Sequence, residues 1–262
     1  MNNVMVVIKV LVVLLFIAAG IWYVKPAQWH PFAPFGLDGV FNAAALVFFA
    51  YIGFDAIATA AEEARNPARD LPRGLFFSLG ICTVLYILVT LIVVGIVPLK
   101  MFATDLDHPV SLALQLAGLN WMAGLIDLGA ILGMTTVILV LLYGQTRIFF
   151  SMSRDGLLPK AFSFVHPKYR TPFKMTWVLG FIAATIGALI PLSRLAELVN
   201  IGTLSAFVLV SLGVIVLRKS QPDLKRPYRC PAVPTLPIAG ILSCLFLMSQ
   251  LELFTWIAFL AW

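Results

Sequence analysis

The chain has 262 residues, of which 61% are apolar and 11% charged, with a mean hydropathy of +0.99 and a formal net charge of +6. A soluble domain carries about 25% charged residues and has no way to bury so much apolar surface, so the composition excludes a soluble globular fold and specifies a polytopic membrane protein. The positive balance does not indicate nucleic-acid binding, because the basic residues lie in short segments between apolar runs and form no continuous stripe.

A helix needs about 20 apolar residues to cross the hydrocarbon. In chain order the runs predict spans near 4–24, 40–61, 75–97, 122–151, 175–191, 196–217 and 238–252, with an eighth helix entering at 254–262. The first run has no small-residue cleavage signature and is predicted to span rather than to act as a signal peptide. The segment 98–121 holds Pro98 and Pro109 and an apolar stretch too short to span, and is predicted as a short helix or helix pair at the outer face. The whole of 1–262 is expected to be a single transmembrane domain.

The segments between runs are asymmetric. Thirteen basic residues fall in 64–74, 153–174 and 218–229, against Lys25, Lys100 and Arg194 in the alternate segments. The positive-inside rule makes the rich side cytoplasmic and places Met1 there as well. Cys82, Cys230 and Cys244 have no ligand spacing, and no metal site or disulfide framework is expected. His30, His108 and His166 sit outside the spans without a nucleophile or acid in a catalytic pattern, and no phosphate-binding loop is present. No catalytic residue and no cofactor are expected. A membrane-embedded enzyme would need a second ionisable group meeting Asp55 at depth.

A charge within a membrane costs roughly 2.5–3.5 kcal/mol on insertion scales, so each intramembrane polar residue calls for a reason. Asp55 lies about 15 residues into its run, roughly 22 Å from the outer end. Gly53 precedes it by two residues. Glycine permits non-helical dihedrals and aspartate favours helix N-caps, so a break near 49–53 with a restart near Asp55 is one reading. It would expose backbone carbonyls able to hold a cation such as an ammonium. The other is an unbroken helix with Asp55 bonded to a neighbour. Lys9 is either a lysine snorkelling to the cytoplasmic headgroups or a buried amine that exchanges a proton. Asp127 reads as interfacial. Gly124, Gly129 and Gly133 offer a small-residue face for close helix approach. Thr135 and Thr136 either bond back to their own helix or line a polar cavity.

The stretch FFAYIGFDAIATAAEEARNPARDLPRG resembles the sixth helix and following loop of the amino acid–polyamine–organocation permeases, in the cationic amino acid transporter branch and its bacterial relatives. LVLLYGQTRIFFSMSRDGLLPKAFSFVHPKYRTP is similar to the eighth helix and its cytoplasmic loop, NNVMVVIKVLVVLLFI to the fifth helix, and LKRPYRCPAVPTLPIAGILSCLFLMSQL to the entry into the eleventh. The resemblance implies an all-α, partial LeuT-like fold of five-plus-five inverted repeats. The chain would run from helix 5 to the start of helix 12, without the first four. It implies secondary amino acid transport across the cytoplasmic membrane, coupled to protons by alternating access. The partners implied are an amino acid, a proton, membrane lipid and, in a chain unable to transport alone, the missing helices on another chain. By position, the resemblance assigns substrate-amine carbonyls to Phe49, Ala50 and Ile52. Phe49 is the aromatic gate, with Phe54 behind it. Lys9 takes the place of a sodium ion, Thr135 and Thr136 face that ion site, and Asp55 has a structural or coupling role.

Overall fold

The computed structural model describes residues 2–54, 57, 66–102, 109–168, 171–224, 226 and 228–261. Among these the regular structure is helical throughout, as expected where every backbone amide must find a partner within its own segment. The α-helices are α1 (Asn2–Gly20), α2 (Gly36–Val47), α3 (Pro67–Ile96), α4 (Leu99–Phe102), α5 (Pro109–Leu116), α6 (Asn120–Arg154), α7 (Phe173–Leu189), α8 (Leu192–Ser220), α9 (Thr235–Ser249) and α10 (Leu253–Ala261). Segments around α1, α3, α6 and α8 are long and apolar enough to cross a bilayer. The helices α9 and α10 form a pair bent by 112°, while α2 with its extension and α7 are shorter apolar helices. The protein is therefore an all-α polytopic membrane protein. Large apolar side chains such as Leu11, Leu128 and Phe181 are exposed, and lipid is the solvent that suits them.

The segment 64–74 is not wholly loop, because α3 starts within it. Pro67 occupies its first turn, where a missing amide goes unneeded, and the carbonyl of Asn66 accepts from the amide of Asp70 at 2.9 Å. The segment 98–121 does hold two short helices, α4 and α5.

The chain forms two compact units. One comprises Met1–Pro34 and Phe76–Gln145. Its core gathers Phe16 from α1, Ile92 and Val93 from α3, Leu114 from α5, and Ala123 and Ile126 from α6. The approach of α1 to α6 is close at Gly129, where a β-carbon would lie 2.6 Å from Val12 Cγ1. Gly133 meets only Lys9 Cδ, at 3.5 Å from such a carbon, and Gly124 meets nothing, so one glycine of the three makes the tight contact.

The other unit comprises Phe35–Leu75 and Thr146–Trp262. Its core is Ala45 of α2, Ile201 and Leu204 of α8, Met248 of α9 and Leu251, with Phe48, Leu247 and Trp256 packed around them. The start of α8 is tied to the start of α10 by the Arg194–Glu252 ion pair and by Thr255 Oγ1, which donates to Glu197 Oε2 at 2.5 Å.

Candidate functional site

The helix α2 does not continue through the apolar run that contains it. After Val47 it tightens into a 3-10 turn over Phe48–Tyr51, and Ile52 then swings to extended geometry at φ −64°, ψ 134°. Gly53 follows at φ +123°, a value that L side chains rarely adopt. A residue without a β-carbon takes it readily. The backbone therefore leaves helical geometry within an apolar run, as one of the two readings of Gly53 required. The predicted restart at Asp55 lies outside the described residues.

The break sorts the three carbonyls assigned to the substrate amine. That of Phe49 accepts from the amide of Ile52 at 3.2 Å, closing the 3-10 turn. Ala50 has a polar partner of its own. The carbonyl of Ile52 accepts no hydrogen bond among the described residues. It is a backbone group at this break able to take a new donor, and an unpaired carbonyl away from water calls for one. Phe49 is exposed. Phe54 is half-buried with its ring centroid 5.4 Å from that of Phe207 on α8, and Phe48 meets the same ring edge-on at 6.1 Å.

The same helix α8 supplies Asn200, which is fully buried. Its Nδ2 donates to the carbonyl of Ala45 at 2.9 Å and more weakly to that of Leu46 at 3.5 Å, both in the last turn of α2. Its Oδ1 is buried without a hydrogen-bond partner among the described residues. Such an orphan acceptor costs about 1–3 kcal/mol, against about 1 kcal/mol gained from an ordinary hydrogen bond. Sequence reasoning missed Asn200 and Glu197, which stand as polar residues among apolar ones in LAELVNIGTL.

In the other unit, Lys9 is half-buried and lines a cavity of about 310 Å³ with Val13, Phe16, Ser111, Asp127 and Gly133. The ammonium has no hydrogen bond or ion pair among the described residues. Asp127 is exposed yet opens onto this cavity, so the wall carries one amine and one carboxylate. Thr135 is exposed and donates to Ile131 O at 2.8 Å, whereas Thr136 is buried and donates to Gly133 O at 2.7 Å. Both hydroxyls thus bond back to their own helix, the first of the two readings, and keep lone pairs free to accept. Among the described residues no group of His, Cys, Asp and Glu is placed to hold a metal.

Apolar helices of spanning length define an integral membrane protein, and α2 ends before Gly53 within an apolar run; helices that end at membrane depth are where secondary transporters hold small solutes. The model of the amino acid permease family matches residues 1–258, and the chain belongs to that family. It is 61% identical over 261 residues to the branched-chain amino acid permease BcaP of Bacillus subtilis strain 168, covering 100% of this chain and 56% of that protein. The methylthioribose transporter of the same organism is 50% identical over 261 residues, again with 56% of its length covered. The cationic amino acid transporter 2, vacuolar, of Arabidopsis thaliana is 40% identical over 228 residues, which is 85% of this chain and 36% of that protein. The chain spans about half the length of the curated relatives it matches most fully.

Proposed function

We propose that the chain is the part of a secondary amino acid transporter that holds the substrate's amino group, acting by alternating access in the cytoplasmic membrane with its N-terminus inside. The observation that carries this is the break after α2, where the carbonyl of Ile52 accepts no hydrogen bond among the described residues and Phe49, three positions earlier, is exposed. A helix that ends at membrane depth directs partial negative charge at whatever lies beyond it, and an ammonium suits that place. Phe49, Ala50 and Ile52 form the amine-binding backbone, with Phe49 and Phe54 as the aromatic lid. Lys9 carries the coupling proton. Thr135 and Thr136 stand near the place of the ion that Lys9 replaces, and Asp55 tunes the coupling.

Among the side chains described beside the break are the rings of Phe48, Phe54 and Phe207. Such rings accept an apolar amino acid side chain, and a relative reported above is a branched-chain amino acid permease by name. Branched-chain amino acids are therefore the proposed substrates.

The test is uptake of labelled leucine into proteoliposomes holding the chain together with the N-terminal portion of the Bacillus subtilis relative. An imposed inward proton gradient raises uptake, and excess isoleucine competes while arginine does not. Uptake indifferent to the gradient removes the coupling, and competition by arginine alone removes the substrate class. A second reading is a subunit inactive without a partner chain. It predicts uptake only when the N-terminal portion is supplied.

A further inference from the structure

We propose that Asn200 is a positioning residue that keeps α2 from running on as a regular helix, and so keeps the Ile52 carbonyl open; this rests on the reading of the break as the amine site. In a continuous α-helix the carbonyls of Ala45 and Leu46 take the amides of Phe49 and Ala50. Here the amide of Asn200, from a helix 155 residues away in sequence, donates to Ala45 O at 2.9 Å and to Leu46 O at 3.5 Å. A side-chain donor on those two oxygens competes with the backbone amides that would continue the helix, and the chain beyond them tightens into the 3-10 turn at Phe48–Tyr51. Asn200 is fully buried, on the same helix as Ile201 and Leu204, which share a core with Ala45.

The second polar atom separates this from a packing role. Oδ1 is buried and has no partner among the described residues. A buried amide that uses one of its two ends is a poor choice for stability, and a leucine of similar volume would pack there without an orphaned acceptor. What leucine lacks is a donor aimed at the end of α2. The geometry therefore assigns the amide to the shape of the break. One ring further along α8, Phe207 meets both Phe48 and Phe54, so the same face of one helix braces the break from either side.

The experiment is amide hydrogen exchange on the 262-residue chain in lipid nanodiscs, comparing wild type, Asn200→Leu and Asn200→Ser, with thermal unfolding alongside. Serine is too short to reach Ala45 O and carries the test if the leucine variant does not fold. The expected result is exchange at Phe49–Ile52 slowed about fivefold as the 3-10 turn gives way to better-aligned i to i−4 bonds, with Asn200→Leu melting at or above wild type. Unchanged or faster exchange at Phe49–Ile52 overturns the proposal. So does a large fall in the melting temperature of Asn200→Leu, because that is the signature of a residue needed only for packing. Neither outcome depends on transport, so failure here is distinct from failure of the uptake test above.

Discussion

Gly53→Ala isolates the backbone geometry on which the amine site depends. A β-carbon added at Gly53 meets nothing within 4 Å, so the substitution introduces no clash. The whole penalty is dihedral. At φ +123° an L side chain is strained, by about 1–3 kcal/mol for such sparsely populated geometry. Gly74 is the matched control: it lies in α3, is exposed, and also has open space around a new β-carbon. There alanine favours the helix by roughly 0.5–1 kcal/mol. One chemical change at two open positions should thus differ by about 1.5–4 kcal/mol, with opposite sign relative to wild type. Equilibrium unfolding in mixed micelles measures the difference, and leucine binding to the same samples measures its consequence. If the chain relieves the strain by straightening into helix, stability returns but the Ile52 carbonyl becomes paired and binding falls. A Gly53→Ala protein as stable as Gly74→Ala, with wild-type binding, refutes the reasoning.

Gly129→Ala forces a carbon to within 2.6 Å of Val12 Cγ1 and 3.1 Å of Val12 Cβ, and should destabilise by about 1–3 kcal/mol in the same unfolding assay, whereas Gly124→Ala should not. Thr255→Val keeps the volume and removes the hydroxyl that donates to Glu197 from a position 1% exposed; it should destabilise by about 1.5–3 kcal/mol, and a neutral result would mean the Glu197 carboxylate finds another donor. Lys9→Met keeps the apolar stem and removes the amine, so gradient-driven leucine uptake should fall at least tenfold while gradient-free exchange persists. Lys9→Arg should not restore it, because a guanidinium does not release its proton, whereas a lysine that merely snorkels would be replaced by arginine without loss.

The break was half legible: a glycine two residues before an aspartate inside an apolar run allowed it but left an unbroken helix equally open, and only the structure shows Gly53 at a φ that other residues avoid. The runs that became α1, α6 and α8 were legible because length and apolarity are local properties. The start of α3 was misplaced because arginines and two prolines read as loop, although Pro67 sits comfortably in a first turn and Pro72 is carried inside the helix. Asn200 and Glu197 were overlooked because their partners, Ala45 and Thr255, lie 155 and 58 residues away. An uncharged amide in an apolar run carries little hydropathy signal, and a glutamate three residues after Arg194 reads as an interfacial charge. The glycine face of α6 was half right, since spacing alone does not say which of Gly124, Gly129 and Gly133 meets a neighbour.

The claim that most needs a direct measurement is that backbone oxygen at the α2 break holds the substrate's ammonium. Competition against labelled leucine by its deaminated analogue, 4-methylpentanoate, tests it in the proteoliposomes described above. The two molecules share the carboxylate and the branched side chain and differ in the amino group alone. The account predicts that unlabelled leucine competes and 4-methylpentanoate does not, even at a hundredfold excess. Equal competition by the two would contradict it, because the amine would then contribute nothing to recognition.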